Sequence, residues 1–160
     1  MSTDRLLNEY KELKNKKPLG AFGGPKNINN LYDWEVTIPG PVNSPYEGGK
    51  FKVEVSFPSD YPNSPPKCKF ITKVFHPNIN FENGSICVNF LKQGNDDEKA
   101  KKEKTYTNKY NICSIILGLY ALLRQPNQDS PLNSNAHNLY VKSNERYAIL
   151  AKSFTKKFAK

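Results

Sequence analysis

Phe51, Val53, Val55 and Phe57 alternate with Lys52, Glu54 and Ser56. Successive strand residues point to opposite faces, so this period of two requires a strand buried on one side only; a slip of one residue would turn every apolar group to solvent. Such a strand needs neighbours and a covering layer. Neighbouring strands are predicted at Leu31–Ile38, closed by Pro39-Gly40-Pro41, at Lys67–Thr72 after a proline-rich bend, and as a short first strand near Ala21–Phe22. Short strands joined by short turns predict an antiparallel meander. The covering layer is predicted from Ile112, Ile115, Ile116, Leu117, Leu119, Leu122 and Leu123, a run apolar on most sides that reads as a buried central helix ended by Pro126-Asn127. Leu6, Leu7, Tyr10 and Leu13 recur at helical spacing, with Lys11, Lys14, Lys16 and Lys17 on the polar side, until Pro18 and Gly20 stop the helix. Two helices follow the central one. Ser143 is the expected N-cap of the last, with Tyr147, Leu150, Ala151, Phe154 and Phe158 as its apolar stripe. No repeat or linker interrupts the pattern, so one domain over 1–160 is expected, with a polar insertion at about 93–105.

The formal net charge is +9, carried by 21 lysines and three arginines spread through the chain. No nucleic-acid motif accompanies them, so the basic surface reads as a solvated one and nucleic-acid binding is not expected. No apolar run reaches the length of a membrane span, and no signal-peptide core follows the first residues, so no membrane association is expected. Three cysteines at these spacings match no zinc pattern, which points to reduced thiols in the cytoplasm or nucleus, with no metal and no cofactor.

The chemistry concentrates in His76-Pro77-Asn78, with Cys87 nine residues after the Asn in Gly84-Ser85-Ile86-Cys87. A thiol of ordinary pKa, about 8.5, is a few per cent thiolate at pH 7, enough to attack an activated thioester without an adjacent His–Asp pair. An Asn amide can donate to an oxygen that becomes negative in a tetrahedral intermediate, or brace its own loop. His76, locked between Phe75 and Pro77, reads as a brace for the backbone rather than a general base. Cys68, within a strand, and Cys113, on the central helix, read as packed thiols.

The order of Tyr61-Pro62-Asn63-Ser64-Pro65-Pro66-Lys67, His76-Pro77-Asn78, Cys87 and Pro126-Asn127-Gln128-Asp129-Ser130-Pro131 strongly resembles the catalytic domain of ubiquitin-conjugating enzymes, from about Leu6 to the last helix. The resemblance implies an α/β (α+β) fold with a four-stranded antiparallel sheet, one helix before it and three after. It implies that Cys87 accepts a modifier as a thioester and passes it to a lysine, with Asn78 as the oxyanion donor and His76, Tyr61, Asn89, Asp129 and Ser130 in support. The acceptor lysine is difficult: at a pKa of about 10.4 it is neutral about once in 2,500 molecules at pH 7, a cost of about 4.6 kcal/mol. Many relatives carry an acidic residue where this chain has Ser130, with Asp129 one position earlier. Tyr106 and Asn108 stand where relatives have Trp and Pro. The segment between Asn78 and Cys87 is one residue longer than in most relatives.

The implied partners are an activating enzyme, a modifier, a RING- or HECT-type ligase and protein substrates. Arg5, Lys11 and Lys14 are expected to face an acidic domain of the activating enzyme, and Asn63 to narrow the range of ligases. Ubiquitin is the expected modifier. SUMO, NEDD8 and a non-catalytic ubiquitin-binding variant of the same fold are the alternatives.

Overall fold

The structure is a computed structural model that describes residues 2–86, 88–92, 105–128 and 131–160. Helix α1 (Ser2–Lys16) leads through a 3-10 turn (Pro18–Gly20) into strands β1 (Phe22–Asn27), β2 (Asn30–Pro39), β3 (Lys50–Ser56) and β4 (Lys67–Phe70). A 3-10 turn (Asn89–Leu91) precedes α2 (Ile112–Arg124), α3 (Ser134–Lys142) and α4 (Asn144–Phe158). The strands form one antiparallel sheet in the order β1-β2-β3-β4.

The alternation in β3 sets the register. Phe51, Val53 and Val55 pair with Ile38, Val36 and Trp34 of β2, and all six side chains are buried. On the other side Val53 and Val55 pair with Phe70 and Cys68 of β4. Each such side chain withdrawn from water favours folding by about 1.5–3 kcal/mol. The rings of Tyr10 and Phe57 pack edge-on against Trp34, at centroid distances of 5.9 and 5.2 Å.

Strand β1 runs longer than expected. Its Gly23, Gly24 and Pro25 have low strand propensity, but β2 offers them a continuous ladder and an edge strand tolerates proline. Gly24 has a second use. A Cβ there would collide with the Tyr10 ring, so the glycine lets α1 lie close over the strand. In α1, Leu6 and Leu13 are fully buried while Leu7 turns outward.

Helix α2 opens on a capping box. Asn111 accepts from the Ser114 backbone N–H, and the Ser114 hydroxyl accepts from the Asn111 N–H. Its buried face comprises Ile112, Cys113, Ile115, Ile116, Leu119, Leu122 and Leu123, whereas Leu117, expected inside, is half exposed. Ser143 caps α4 as expected. The inner face of α4 is Tyr147, Ala151 and Thr155, rotated from the predicted stripe, and Leu150 is exposed. Thr155 satisfies its buried hydroxyl by donating to the Ala151 carbonyl at 2.8 Å. The end of α4 is tied to the start of β3 where the Lys50 N–H donates to the Ala159 carbonyl.

A buried carboxylate joins α1 to α2. Glu9 is only 4% exposed. Its Oε2 accepts from the Tyr61 hydroxyl at 2.8 Å and from Arg5 Nε at 3.0 Å, and its Oε1 accepts from the Ile112 N–H at 2.6 Å. Three donors compensate the carboxylate for its lost hydration, and one of them is an otherwise orphan N–H in the first turn of α2. Removing the carboxylate strands all three. Glu9→Ala is therefore expected to lower stability by about 3 kcal/mol, with Glu9→Gln between it and wild type. Urea denaturation checks this; a loss under about 0.5 kcal/mol would show that the network carries little.

Candidate functional site

The site is assembled on the C-terminal end of α2. A carbonyl at position 122 would normally bond the N–H at 126, but residue 126 is proline and has none. His76 takes that place. Its Nε2 donates to the Leu122 carbonyl at 2.7 Å, while its Nδ1 accepts the Asn78 backbone N–H at 3.0 Å. The two partners define the tautomer: Nε2 holds the proton and Nδ1 is bare. The ring is fully buried, and burial pushes its pKa down to about 4 despite the bond to Leu122. A neutral imidazole with both nitrogens engaged braces the loop.

Asn78 is equally buried. Its Nδ2 donates to the Asn127 carbonyl at 2.6 Å and its Oδ1 accepts the Asn127 N–H at 2.7 Å, so the carboxamide matches the peptide group of Asn127 as one strand matches another. The intervening Pro77 carbonyl accepts from both Leu132 and Asn133, at 2.7 and 3.1 Å. The His-Pro-Asn segment is thus held by α2, by the residues just past it and by the approach to α3.

From Asn78 the chain turns back on itself. Ile79 bridges to Ile86, and Ser85 bridges to Lys69 of β4. Gly84, at φ +77°, lies so close to Phe70 that a Cβ would collide with the Phe70 carbonyl, and the Phe70 N–H donates to the Gly84 carbonyl at 2.9 Å. The tip is an Asx turn in which Asn80 Oδ1 accepts the N–H groups of Glu82 and Asn83. At that tip the Phe81 ring packs on Phe154 and Phe158 of α4. Cys87, Asp129, Ser130 and positions 93–104 lie outside the described residues, as does the side chain of Asn89, which begins the 3-10 turn. At the end of the expected insertion, Thr105 is buried.

Beside Asn127 runs an open groove of about 590 Å³ lined by Val88, Phe90, Ser114, Gly118, Ala121 and Pro126, among others. Its floor is one face of α2, and its wall is the segment that follows Cys87.

The remaining predicted residues sit apart from this cluster. Tyr61 directs its hydroxyl to Glu9 and packs its ring 4.6 Å from Phe57. Arg5 lies over the Tyr61 ring and donates to the Tyr110 carbonyl at 2.8 Å and the Asn108 carbonyl at 3.3 Å, so much of its guanidinium is engaged internally. Lys11, Lys14 and Asn63 are exposed. Tyr106 donates its hydroxyl to the Pro62 carbonyl at 2.7 Å and so ties the segment before α2 to the Tyr61 loop. Cys68 has its thiol pushed up to about 12 by burial, and burial also raises that of Cys113, so both are poor nucleophiles. Among the described residues no group of three or more His, Cys, Asp or Glu is placed to hold a metal ion, and no helix is long and apolar enough to cross a membrane.

In the sequence Leu122 reads only as part of an apolar run and Asn127 only as part of a helix stop, and Phe90, Gly118 and Glu9 carry no motif. Two signals were there: Pro126 implies a stranded carbonyl at 122, and a glycine inside an apolar helix implies a close neighbour.

Sheet order, helix order and the buried His-Pro-Asn turn define the α/β class of ubiquitin-conjugating folds. The family model described as ubiquitin-conjugating enzyme matches residues 5–155. The ubiquitin-conjugating enzyme E2 pex4 of Dictyostelium discoideum is 41% identical over 135 residues, covering 84% of this chain and 83% of that protein. Among solved structures, the E2 domain of a Toxoplasma gondii ubiquitin conjugating enzyme superposes with a TM-score of 0.85 at 30% identity, covering 100% of both chains. A Plasmodium yoelii protein described as a ubiquitin conjugating enzyme gives 0.82 at 33% identity, over 97% of this chain and 93% of its own. The chain belongs to the ubiquitin-conjugating enzyme family.

The state of His76 has a thermodynamic consequence. Its native pKa, about 4, lies below the ordinary value of 6.5, so between these pH values the unfolded chain binds a proton that the native one does not. The contribution is complete above pH 6.5 and is lost as pH falls toward 4, to a limit of about 3 kcal/mol. Denaturant titrations at pH 7 and pH 5 should show wild type losing more stability than His76→Asn; equal losses would place the titration elsewhere.

Proposed function

We propose that the protein accepts ubiquitin from an activating enzyme as a thioester on Cys87 and transfers it to a lysine of a protein substrate. The observation that carries this reading is the doubly braced Asn78, buried and paired with Asn127, nine residues before the only cysteine set in the Gly-Ser-Ile-Cys context. In the first step the Cys87 thiolate attacks the carbonyl carbon of the activating enzyme's thioester. A new S–C bond forms and the activating enzyme's thiolate leaves. In the second, a neutral lysine amine attacks the Cys87 thioester, its proton passes to solvent or a nearby acceptor, and the Cys87 thiolate departs. Each step passes through an oxyanion, and the one assigned to Asn78 is that of the second step, formed when the amine attacks the Cys87 thioester. Asn78 offers an amide donor whose position is set before the substrate arrives, the arrangement in which electrostatic stabilisation is strongest. His76 stays neutral and orders the loop. Desolvation would favour the neutral amine, while Asp129 or Ser130 would accept a hydrogen bond from the incoming lysine and orient it.

The groove beside Asn127 is suited to the modifier: it is open, largely apolar, and reaches the carboxamide pair. The exposed Lys11 and Lys14 give α1 a basic face for the activating enzyme, and the Tyr61–Pro66 loop with Asn63 gives a RING- or HECT-type ligase its contact. Cys68 and Cys113 are free thiols, in keeping with a cytoplasmic or nuclear location. Ubiquitin is favoured as the modifier because the Dictyostelium relative bears that name.

A charging assay tests the reading. The protein is incubated with ATP, magnesium and matched activating enzyme and modifier pairs for ubiquitin, SUMO and NEDD8. A reducible adduct with ubiquitin, absent from Cys87→Ala, is expected; an adduct with another modifier alone would reassign the specificity, and none at all would leave a binding protein. Asn78→Ala is expected to load almost normally and to discharge to free lysine about 10²- to 10³-fold more slowly. Equal slowing of both steps would make Asn78 a brace only.

A further inference from the structure

Gly118 lies in the middle of α2, where only proline is less favourable to a helix. The missing side chain leaves room for Phe90. A Cβ at Gly118 would stand 2.7 Å from Cζ of the Phe90 ring and 2.9 Å from both Cε atoms, so the far edge of the ring rests on the helix backbone. Phe90 belongs to the 3-10 turn Asn89–Leu91 and comes three residues after Cys87. The turn is held on either side: the Leu91 N–H donates to the Val88 carbonyl at 3.3 Å, and the Tyr106 N–H to the Lys92 carbonyl at 2.9 Å.

One helix therefore registers both arms of the site. Leu122, whose carbonyl holds His76 and through it Asn78, lies four residues after Gly118. That spacing is about 6 Å along the axis, on neighbouring turns. We propose that Phe90, resting edge-on over Gly118, is a positioning residue for Cys87. The ring sets the height of Val88–Leu91 above α2, and Val88 is the residue next to Cys87 in sequence. The inference rests on the thioester chemistry proposed above. It predicts that a methyl group at 118 lifts one arm and leaves the other in place, and a misplacement of about 1 Å can cost up to about 10²-fold in rate.

The test is a size exchange in the full chain: Gly118→Ala, Phe90→Leu and the double variant. Alanine favours a helix interior over glycine but must displace the Phe90 ring, so the melting temperature of Gly118→Ala is expected to change little. Its discharge to free lysine is expected to slow by about ten- to a hundredfold. The pH profile of Cys87 alkylation by iodoacetamide, read on the Cys87 peptide by mass spectrometry, should shift as well. In Phe90→Leu/Gly118→Ala the shorter side chain clears the methyl, and both readouts should return to within about threefold of wild type. Wild-type rates and an unchanged alkylation profile in Gly118→Ala would overturn the proposal. So would a double variant as impaired as the single one. Failure of the underlying chemistry is separate: it appears as wild-type protein that charges with no modifier, while the alkylation profile still reports on Phe90 and Gly118.

Discussion

Proline at 126 deprives the last turn of α2 of one N–H, and the carbonyl of Leu122 must find another donor inside the protein. The Nε2–H of His76 fills that requirement and, in doing so, leaves Nδ1 to accept the backbone of Asn78. The rest of the site follows from this pairing. Asn78 is brought against the chain just beyond Pro126, where its carboxamide meets the Asn127 peptide and the Pro77 carbonyl takes up two more N–H groups. Polar atoms that would be costly to bury singly are buried as a closed set.

The opposite end of α2 is handled in a related way. Its first N–H groups need acceptors, and the Asn111 capping box and the Glu9 carboxylate supply them. Glu9 comes from α1 and also holds Tyr61, so α2 is gripped at its start by α1 and the Tyr61 loop and at its end by the His-Pro-Asn turn. The two grips, at Ile112 and Leu122, are ten residues apart, about 15 Å along the helix. The sheet supplies the surface that the helices cover. Its β2–β3 register places three residues from each strand on the buried side.

What was legible in the sequence were the features set by local periodicity and capping: the alternation of β3, the apolar run of α2, Ser143 at the start of α4, and the unusual His-Pro-Asn turn. What was not legible depended on partners far away along the chain. Strand β1 carries two glycines and a proline, and only the ladder offered by β2 makes it a strand. Leu117 and Leu150 count as apolar in any pattern, yet the helix rotation set by their neighbours exposes them. A buried Glu at position 9 is indistinguishable, by composition, from the charged residues around it. Its role emerges only when Tyr61 and Ile112, remote in sequence, come within hydrogen-bond distance. Asn127 was within a recognised segment, but nothing local marked its peptide as the partner of Asn78.

The bond between the Lys92 carbonyl and the Tyr106 N–H closes the base of the segment between them, and Arg5 clamps the far side through the carbonyls of Asn108 and Tyr110. Glu9 adds a third hold at the Ile112 N–H. The start of α2 is therefore a moored end, fixed by a backbone pair, a guanidinium and a carboxylate drawn from separate parts of the chain, and the helix that carries the Leu122 carbonyl to His76 begins from a fixed point.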